Sequence, residues 1–236
     1  MGKGKLKKFQ ENATFDHVIE PDVKGHLAFD HPLKGNWNRN FFKNNHPIVV
    51  ELGCGKGEYT VALARLYPDK NFIGVDIKGA RIWKGAKTSL EEKLMNVAFL
   101  RTRIELINAF FAQNEVSEIW ITFPDPQKKA KRAKKRLTSS GFLNRYQQFL
   151  TDGGLVHLKT DSTFLYEYTL HLVQFNELEI IKHSPDLYKE AWTDEILSIQ
   201  THYEKLHIDD GNNINYLVFK LPHEDGLREP TFPIDD

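Results

Sequence analysis

From residue 47 onward, short runs rich in β-branched and aromatic residues alternate with longer segments whose apolar residues recur every three or four positions. The runs are typical of strands and the longer segments of amphipathic helices. The first five strand-like runs are PIVVELG (47–53), NFIGVDI (71–77), NVAFLR (96–101), SEIWITF (117–123) and GLVHLKT (154–160). The clearest intervening helices are predicted over 79–94 and 139–150. Strand and helix repeated in this order predict parallel strands joined by right-handed crossovers.

The chain continues with one more predicted helix and two more predicted strands. The helix covers 162–175, and the strands are LEIIKHS (178–184) and NINYLVFKLP (213–222). The last run ends in Pro222 and is expected to enter the sheet antiparallel, as an edge or closing hairpin strand does. The whole pattern predicts a Rossmann-like α/β fold with a seven-stranded, mostly parallel sheet and helices on both faces.

The domain organisation follows from length and local composition. A chain of 236 residues favours one domain, which we place at 47–222. Residues 1–46 combine a basic start with Pro, Gly, Asn and charge but no clear periodicity, so we predict a partly flexible N-terminal arm. Residues 223–236 are predicted to form an acidic C-terminal tail.

Composition excludes several classes of protein. The single cysteine, Cys54, excludes an internal disulfide framework and a cysteine-rich zinc site, and it fits a reducing cytoplasm. No signal-peptide pattern is visible, and no run reaches the roughly 20 apolar residues that cross a bilayer. We therefore expect a cytoplasmic protein with no membrane partner. The 32 basic and 32 acidic residues balance, so a positive surface has to be local.

A glycine-rich turn follows the first predicted strand in ELGCGKGEY. Gly53, Gly55 and Gly57 allow positive φ and a close approach of the backbone to a ligand; a tight turn without a ligand is the alternative. A dinucleotide fingerprint needs a small residue where Glu58 stands, and Glu51 adds a second negative charge. These carboxylates disfavour a pyrophosphate and favour a ligand with cationic groups, such as S-adenosylmethionine.

Two neighbours of this turn have competing interpretations. Asp76 ends the second predicted strand, where its oxygens can accept both hydroxyls of a ribose, or it serves only as a helix N-cap or turn residue. Cys54 suggests a nucleophile, but a small spacer between two glycines is the better interpretation. The cluster as a whole indicates a binding site for S-adenosylmethionine.

A carboxylate framed by two prolines ends the fourth predicted strand, in FPDP. Pro124 and Pro126 are expected to hold Phe123 and Asp125 in extended geometry, which aims the Asp125 carboxylate. Ligands of open α/β sheets bind at the carboxyl ends of the strands. Seven of the nine residues at 128–136, which we call the basic run, are Lys or Arg. Such a run attracts nucleic-acid phosphates, although a solvated loop is the alternative.

The segment FPDPQKKAKRAKKRL resembles the signature of the bacterial tRNA (guanine-N7-)-methyltransferases, F-P-D-P-W-x-K-x-x-H-x-K-R-R. ELGCGKGEY, KTDSTFLYEY and THYEKLHIDDGNNINYL follow the order of that family's other motifs, so the resemblance covers roughly 47–220. It implies a class I S-adenosylmethionine-dependent methyltransferase. Such an enzyme methylates N7 of a guanine in the variable loop of tRNA, forming 7-methylguanosine and S-adenosylhomocysteine.

The resemblance also implies roles for individual residues. Asp125 is the expected catalytic residue, lying between cofactor and base. The expected cofactor-binding residues are Glu51, Gly53, Gly55, Asp76, Arg103, Ile104 and Asp125. The expected tRNA-binding residues are Lys129, Asp161, Thr201, His202, Tyr203 and Glu204. Simple core packing is the alternative for Tyr203.

Two positions depart from the family pattern. Arg103 stands where an acidic residue usually meets the adenine amine, so the backbone at 103–104, or Glu105, is expected to take that role. Gln127 replaces the usual Trp, which removes an aromatic ring near the base.

The expected chemistry needs no general base, because guanine N7 carries a lone pair and no proton. Catalysis then rests on holding N7 in line with the S–CH₃ bond, with Asp125 accepting from guanine N–H groups.

No metal is expected, because His202 and His207 are five residues apart rather than the four of a helical zinc pair. The sequence leaves monomer and homodimer open. It also leaves open three other functions. The protein could methylate an exocyclic amine of another RNA base, methylate a small molecule, or serve as a non-catalytic RNA-binding module.

Overall fold

The computed structural model describes residues 3–21, 30–223 and 226–232. The chain divides into two compact units, Met1–Val116 and Ser117–Asp236. The boundary falls at the start of the fifth strand, Val116–Thr122. The single domain predicted over 47–222 stays a prediction.

The first unit is built around four parallel strands in the order β1-β4-β3-β2. Its elements are α1 (Lys3–Asn12), β1 (Val18–Ile19), β2 (Ile48–Leu52), α2 (Glu58–Leu66), β3 (Asn71–Asp76), α3 (Gly79–Glu91) and β4 (Val97–Arg101). A π-helical turn covers Trp37–Phe42 and a 3₁₀ turn covers Ile104–Ala109. Every residue of β2 and β3 is buried, which explains their nearly continuous apolar sequence.

The segment predicted as an N-terminal arm contains regular structure within its described residues. The Asn12 side chain donates from Nδ2 to the carbonyl of Gly79 at 2.8 Å, which ties α1 to α3. Trp37 is fully buried and donates from Nε1 to the carbonyl of Phe110 at 2.8 Å. These contacts join residues more than 60 positions apart, so the local pattern gave no sign of them. The flexibility expected for 1–46 stays a prediction.

The second unit contains the remaining strands in the order β5-β6-β8-β7. Its elements are β5 (Val116–Thr122), α4 (Ser140–Tyr146), β6 (Leu150–Thr160), α5 (Thr163–Phe175), β7 (Ile180–Ser184), α6 (His202–Asp209) and β8 (Asn215–Leu221). Strand β8 pairs antiparallel with both β6 and β7, which confirms the antiparallel last strand but makes it an interior one. Pro222 follows directly after its last paired residue.

The fold class predicted from the sequence is confirmed, with small differences in its elements. The described residues form eight strands rather than seven, the additional one being the two-residue β1. The helix predicted over 139–150 is shorter, and Leu150 already belongs to β6. Helix α6 was not predicted, although Thr201 and Glu204 form a capping box at its start. That T-x-x-E spacing is a recognisable helix signal in the sequence.

Candidate functional site

The glycine-rich turn joins β2 to α2 and takes the conformations that its sequence predicts. Gly53, Gly55 and Gly57 have φ values of 81°, 55° and 68°, in the left-handed region that favours glycine. A Cβ on Gly57 would lie 2.5 Å from Cε1 of Phe99, so this position has no room for a side chain. The backbone N–H of Gly53 donates to the carbonyl of Val75 at 2.8 Å, which anchors the turn to β3.

The Glu51 carboxylate is held by the first turn of α2. The side chain is 3% exposed, and its Oε2 accepts from the Thr60 backbone N–H at 2.9 Å and from the Thr60 hydroxyl. Two donors on one oxygen fix the orientation of the carboxylate. Nothing in the local pattern around Thr60 indicated this role.

Asp76 ties the end of β3 to the glycine-rich turn. Its Oδ2 accepts from the Gly55 N–H at 3.0 Å, and its Oδ1 accepts from the Lys78 N–H at 2.7 Å. The turn role that the sequence allowed is therefore real. It does not exclude the ribose role, because a carboxylate offers about four acceptor positions.

Cys54 lies buried beside these carboxylates. Burial raises the pKa of its thiol well above the ordinary value, and the charges of Glu51 and Asp76 raise it further. A thiol that keeps its proton is a poor nucleophile. This agrees with Cys54 acting as a small spacer between two glycines.

A cavity of about 280 Å³ lies where β3 and β4 end. It is lined by Glu20, Pro21, Ile77, Arg101, Thr102, Arg103 and Leu106. Ile77 is 52% exposed, and the buried Thr102 Oγ1 has no hydrogen-bond partner among the described residues. Arg103 lines the cavity and its Nε lies 3.9 Å from Oε2 of Glu105, whereas the adjacent Ile104 begins the 3₁₀ turn and does not line it.

In the second unit, the proline-framed aspartate is exposed at the end of β5. Its Oδ1 accepts from the backbone N–H of Gln127 at 3.1 Å, so the side chain folds back onto its own turn. The expectation of an extended Phe123 is wrong, because its φ is +48°. Phe123 instead donates its N–H to the Lys159 carbonyl at 2.8 Å and stacks on His207 at 6.2 Å between ring centroids. These contacts within the unit override the preference that a following proline imposes.

The basic run divides into two parts. Ala130–Lys135 form a 3₁₀ turn, and six of the seven cations are exposed: Lys128, Lys129, Lys131, Arg132, Lys134 and Lys135. Arg136 is fully buried and donates from Nε and Nη2 to the carbonyl of Gln127 at 3.3 and 3.2 Å. Its guanidinium also lies 4.3 Å from the centre of the Tyr168 ring. The prediction that the basic run attracts phosphates is therefore wrong for its last residue, Arg136, which is buried.

The predicted tRNA-binding residues of α6 have different environments. Tyr203 is 41% exposed and His202 is also exposed, so core packing does not explain Tyr203. Glu204 is completely buried, and its Oε1 lies 2.8 Å from Nζ of Lys159. Thr201 caps the helix by accepting from the Glu204 N–H at 3.2 Å.

Lys159 connects α6 to the strand that precedes the predicted Asp161. Its ammonium donates to the carbonyls of Leu197 and Ile199 at 2.7 and 3.0 Å, in addition to Glu204. Burial lowers the pKa of Lys159, and the adjacent Glu204 opposes that shift. Neither Lys159 nor its partners at 197–199 stood out in the sequence.

The structure also links Asp161 to α6, since His207 Nδ1 lies 3.4 Å from Asp161 Oδ2. It thus places Asp161 beside the helix that Thr201 caps and that carries Tyr203 and Glu204. In the first unit, hydrogen bonds join the glycine-rich turn after Glu51 to the end of β3 at Asp76. Within the part of the chain that the structure describes, no helix is long and apolar enough to cross a membrane.

Comparisons with known proteins agree with this architecture. A model of the family described as putative methyltransferase matches residues 45–217. The solved structure of the 16S rRNA methyltransferase KamB superposes with a TM-score of 0.59 at 13% identity, covering 77% of this chain and 91% of that one. Similarity at that identity shows the fold alone. By family and by fold, the chain belongs with the methyltransferases.

Relatives with higher identity narrow this class. The tRNA (guanine-N(7)-)-methyltransferase of Christiangramia forsetii is 57% identical over 220 residues, which cover 93% of this chain and 98% of the relative. The protein of the same name from Bacteroides thetaiotaomicron is 52% identical over 237 residues, which cover 100% of this chain and 92% of the relative. The chain belongs to the tRNA (guanine-N(7)-)-methyltransferase family, which confirms the family expected from its motifs.

Proposed function

We propose that this protein transfers the methyl group of S-adenosylmethionine to N7 of a guanine in tRNA, forming 7-methylguanosine and S-adenosylhomocysteine. The observation that carries the proposal is near full-length identity of 57% to a relative of that name. The variable loop as the position of the guanine comes from the family resemblance and is part of the proposal. We further propose a cytoplasmic protein that acts as a monomer or homodimer.

The residues of the first unit fit S-adenosylmethionine. A Cβ on Gly55 would meet only the Gly53 carbonyl, at 3.9 Å, so a ligand has room beside this part of the turn. The oriented Glu51 carboxylate suits a cationic group. Asp76 would accept from the ribose hydroxyls. The apolar Ile77 beside the unpartnered Thr102 hydroxyl suits the adenine ring.

The adenine amine would meet the backbone at 103–104, as expected from the sequence, because the Arg103 side chain is 65% exposed. When bound, the cofactor supplies an electrophilic methyl group on a sulfonium. The protein supplies the fixed carboxylates and the turn that position it.

On the substrate side, Asp125 is the proposed catalytic residue. Guanine N7 needs no deprotonation, so the Asp125 carboxylate would accept hydrogen bonds from guanine N–H groups and stabilise the positive charge that develops on the ring. Its bond from the Gln127 N–H holds the carboxylate in place while leaving further acceptor positions.

The proposed tRNA contacts divide by exposure. Lys129, His202 and Tyr203 are exposed and suited to direct contact, through charge and through stacking on unpaired bases. Thr201 and Glu204 are buried, so we assign them a positioning role: they hold the first turn of α6, which carries Tyr203. Asp161 lies beside that helix.

The test is incubation of purified protein with labelled S-adenosylmethionine and unmodified tRNA, followed by nucleoside digestion and mass spectrometry. One new peak of 7-methylguanosine is expected. A methylated exocyclic amine would instead support the alternative left open by the sequence. No product despite cofactor binding would contradict the proposed substrate.

The role of Asp125 is tested by Asp125→Ala, with the exposed Asp69→Asn as a matched control. We expect single-turnover methylation to fall at least a hundredfold, on the order of what one oriented electrostatic group contributes. Binding of S-adenosylmethionine, measured by calorimetry, should stay near that of the control. A rate near wild type would contradict the role.

A further inference from the structure

A groove of about 530 Å³ lies beside the basic run in the second unit. It is lined by Ala130, Lys131, Ala133, Lys134, Ser139, Ser140, Gly141, Phe142, Arg145 and Glu229. Three of these side chains are cationic and one is anionic. We call this the α4 groove, because its floor is the start of α4 and its rim is the 3₁₀ turn at Ala130–Lys135.

The α4 groove contains an unsatisfied donor. Ser139 is 2% exposed, and its Oγ has no hydrogen-bond partner among the described residues. Buried hydroxyls normally find a partner, so one without a partner at the wall of a groove points to a ligand that completes it. The cations Lys131, Lys134 and Arg145 make an anionic oxygen the fitting partner.

A carboxylate of the C-terminal segment already reaches this groove. Glu229 accepts from the Ser140 backbone N–H at 2.9 Å through Oε2, and from the Tyr168 hydroxyl through Oε1. Burial and this carboxylate raise the pKa of Tyr168, so its hydroxyl stays a donor. The groove therefore already offers neutral donors to an anion.

The segment that carries Glu229 is held by two reciprocal pairs of hydrogen bonds. Leu227 and the Asn144 side chain exchange bonds of 2.7 and 3.0 Å, and Arg228 and the Asn176 side chain exchange bonds of 2.8 and 2.9 Å. Phe232 packs edge-on against the Tyr168 ring, with 5.5 Å between centroids. The placement of Glu229 is thus built by side chains of both α4 and α5.

We propose that the α4 groove binds a backbone phosphate of tRNA away from the target guanine, and that Glu229 occupies the place of this phosphate when RNA is absent. The inference rests on the proposed function, since that function makes tRNA the polyanion this surface meets. Carboxylate and phosphate oxygens accept from the same donors, so exchange of one for the other leaves Ser140 and Tyr168 satisfied. The negative charge of Glu229 opposes RNA binding, and its displacement removes a competing anion from beside the three cations.

The first test compares Glu229→Gln with Glu179→Gln, which neutralises an exposed carboxylate elsewhere in the unit. Affinity for unmodified tRNA is measured in the presence of S-adenosylhomocysteine over a range of salt concentrations. Glu229→Gln is expected to bind roughly threefold more tightly and with a steeper salt dependence, because a competing charge is removed. An affinity equal to that of Glu179→Gln would overturn the proposal.

The second test removes the groove cations with Lys131→Ala/Lys134→Ala, matched by Lys182→Ala/Lys220→Ala, which removes the same charge from β7 and β8. The groove variant is expected to bind tRNA on the order of tenfold more weakly, with the logarithmic salt slope reduced by about 0.7 to 2. An equal loss of tRNA affinity in both double variants would show that only net charge matters, and it would overturn the assignment of the groove as a phosphate site.

Ser139→Ala guards against misfolding as an explanation, since it replaces an unpartnered hydroxyl with a methyl group. Its thermal stability should equal or exceed that of wild type while its tRNA affinity falls severalfold; unchanged affinity would count against the proposal. If inorganic phosphate stabilises Glu229→Gln but no groove variant changes the affinity for tRNA, the groove is an anion site unrelated to RNA, and the proposal is overturned. Binding is measured without methyl transfer, so the two proposals are tested separately. If the wild-type protein forms 7-methylguanosine and the groove variants bind tRNA like wild type, only the inference about the groove is overturned.

Discussion

Arg136 and the six cations that precede it belong to one continuous basic run, yet they lie in opposite environments. The six are exposed, whereas Arg136 is buried against the rings of Tyr168 and Phe164 at 4.3 and 4.8 Å. Lys159 is a second buried cation of the same unit, paired with Glu204. Arg136 and Lys159, the two buried cations, hold neighbouring segments together. The six exposed cations of the basic run are available to a polyanion. Charge pattern alone does not separate these roles.

The largest effect is expected from Lys159→Met, which tests the buried side of this comparison. It leaves the Glu204 carboxylate buried without its ammonium partner, and such a loss costs about 3–5 kcal/mol of unfolding free energy. Denaturant unfolding measures this. The double variant Lys159→Met/Glu204→Gln should recover much of the loss, because no charge is stranded and Gln also completes a capping box. An unchanged denaturation midpoint in the single variant would contradict the role of the pair.

Arg136→Ala should have the next largest effect, a loss of about 3 kcal/mol, because it removes desolvated cation–π contacts and hydrogen bonds from a charged donor. Arg136→Lys should recover only part, since an ammonium does not reproduce the planar stacking. Thermal unfolding of both variants provides the measurement. If Arg136→Ala lowered tRNA affinity at unchanged stability, Arg136 would belong with the exposed six.

Lys129→Ala tests the exposed side. The unfolding free energy should stay within about 0.5 kcal/mol of wild type. The slope of log Kd for tRNA against log salt should fall by about 0.7–0.9, the change expected for one lost phosphate contact. A fluorescence binding assay at four or five salt concentrations measures this slope, and an unaltered slope would remove Lys129 from the tRNA interface.

The smallest effect is expected from Lys220→Ala, which removes a partly exposed cation outside the basic run. Lys220 Nζ lies 2.9 Å from Glu179 Oε2, and exposed pairs of this kind contribute about 0–1 kcal/mol. Neither stability nor the tRNA salt slope should change measurably. A change in the salt slope as large as that of Lys129→Ala would show that a cation outside the basic run contributes equally to tRNA binding. The basic run would then have no special role in that binding.

Much of the fold was predictable because its signals are local. The alternation of strands and helices gave the fold class, and the glycines of the first turn predicted positive φ at Gly53, Gly55 and Gly57. The motifs around Asp125 and Thr201 indicated the family, which the relatives confirm. The capping box of α6 was also readable, although it was not used to predict that helix.

Other features depended on residues far apart in the chain. Phe123 has positive φ because it joins contacts with Lys159 and His207. The N-terminal segment forms α1 and β1 because α3 and β4 provide surfaces for them. Neither partner is visible in the local sequence of these segments.

The amino-acid sequence by itself determined the alternation of strands and helices from residue 47, the glycine conformations and the family, since each depends on residue types at short spacing. Tertiary structure alone decided that Arg136 is buried, that Lys159 neutralises Glu204, and that Glu229 reaches the groove beside α4. The reason is physical. The role of a charge depends on its solvation and on its partners, and these partners lie 32, 45 and 89 residues away: Arg136 on Tyr168, Lys159 with Glu204, and Ser140 with Glu229.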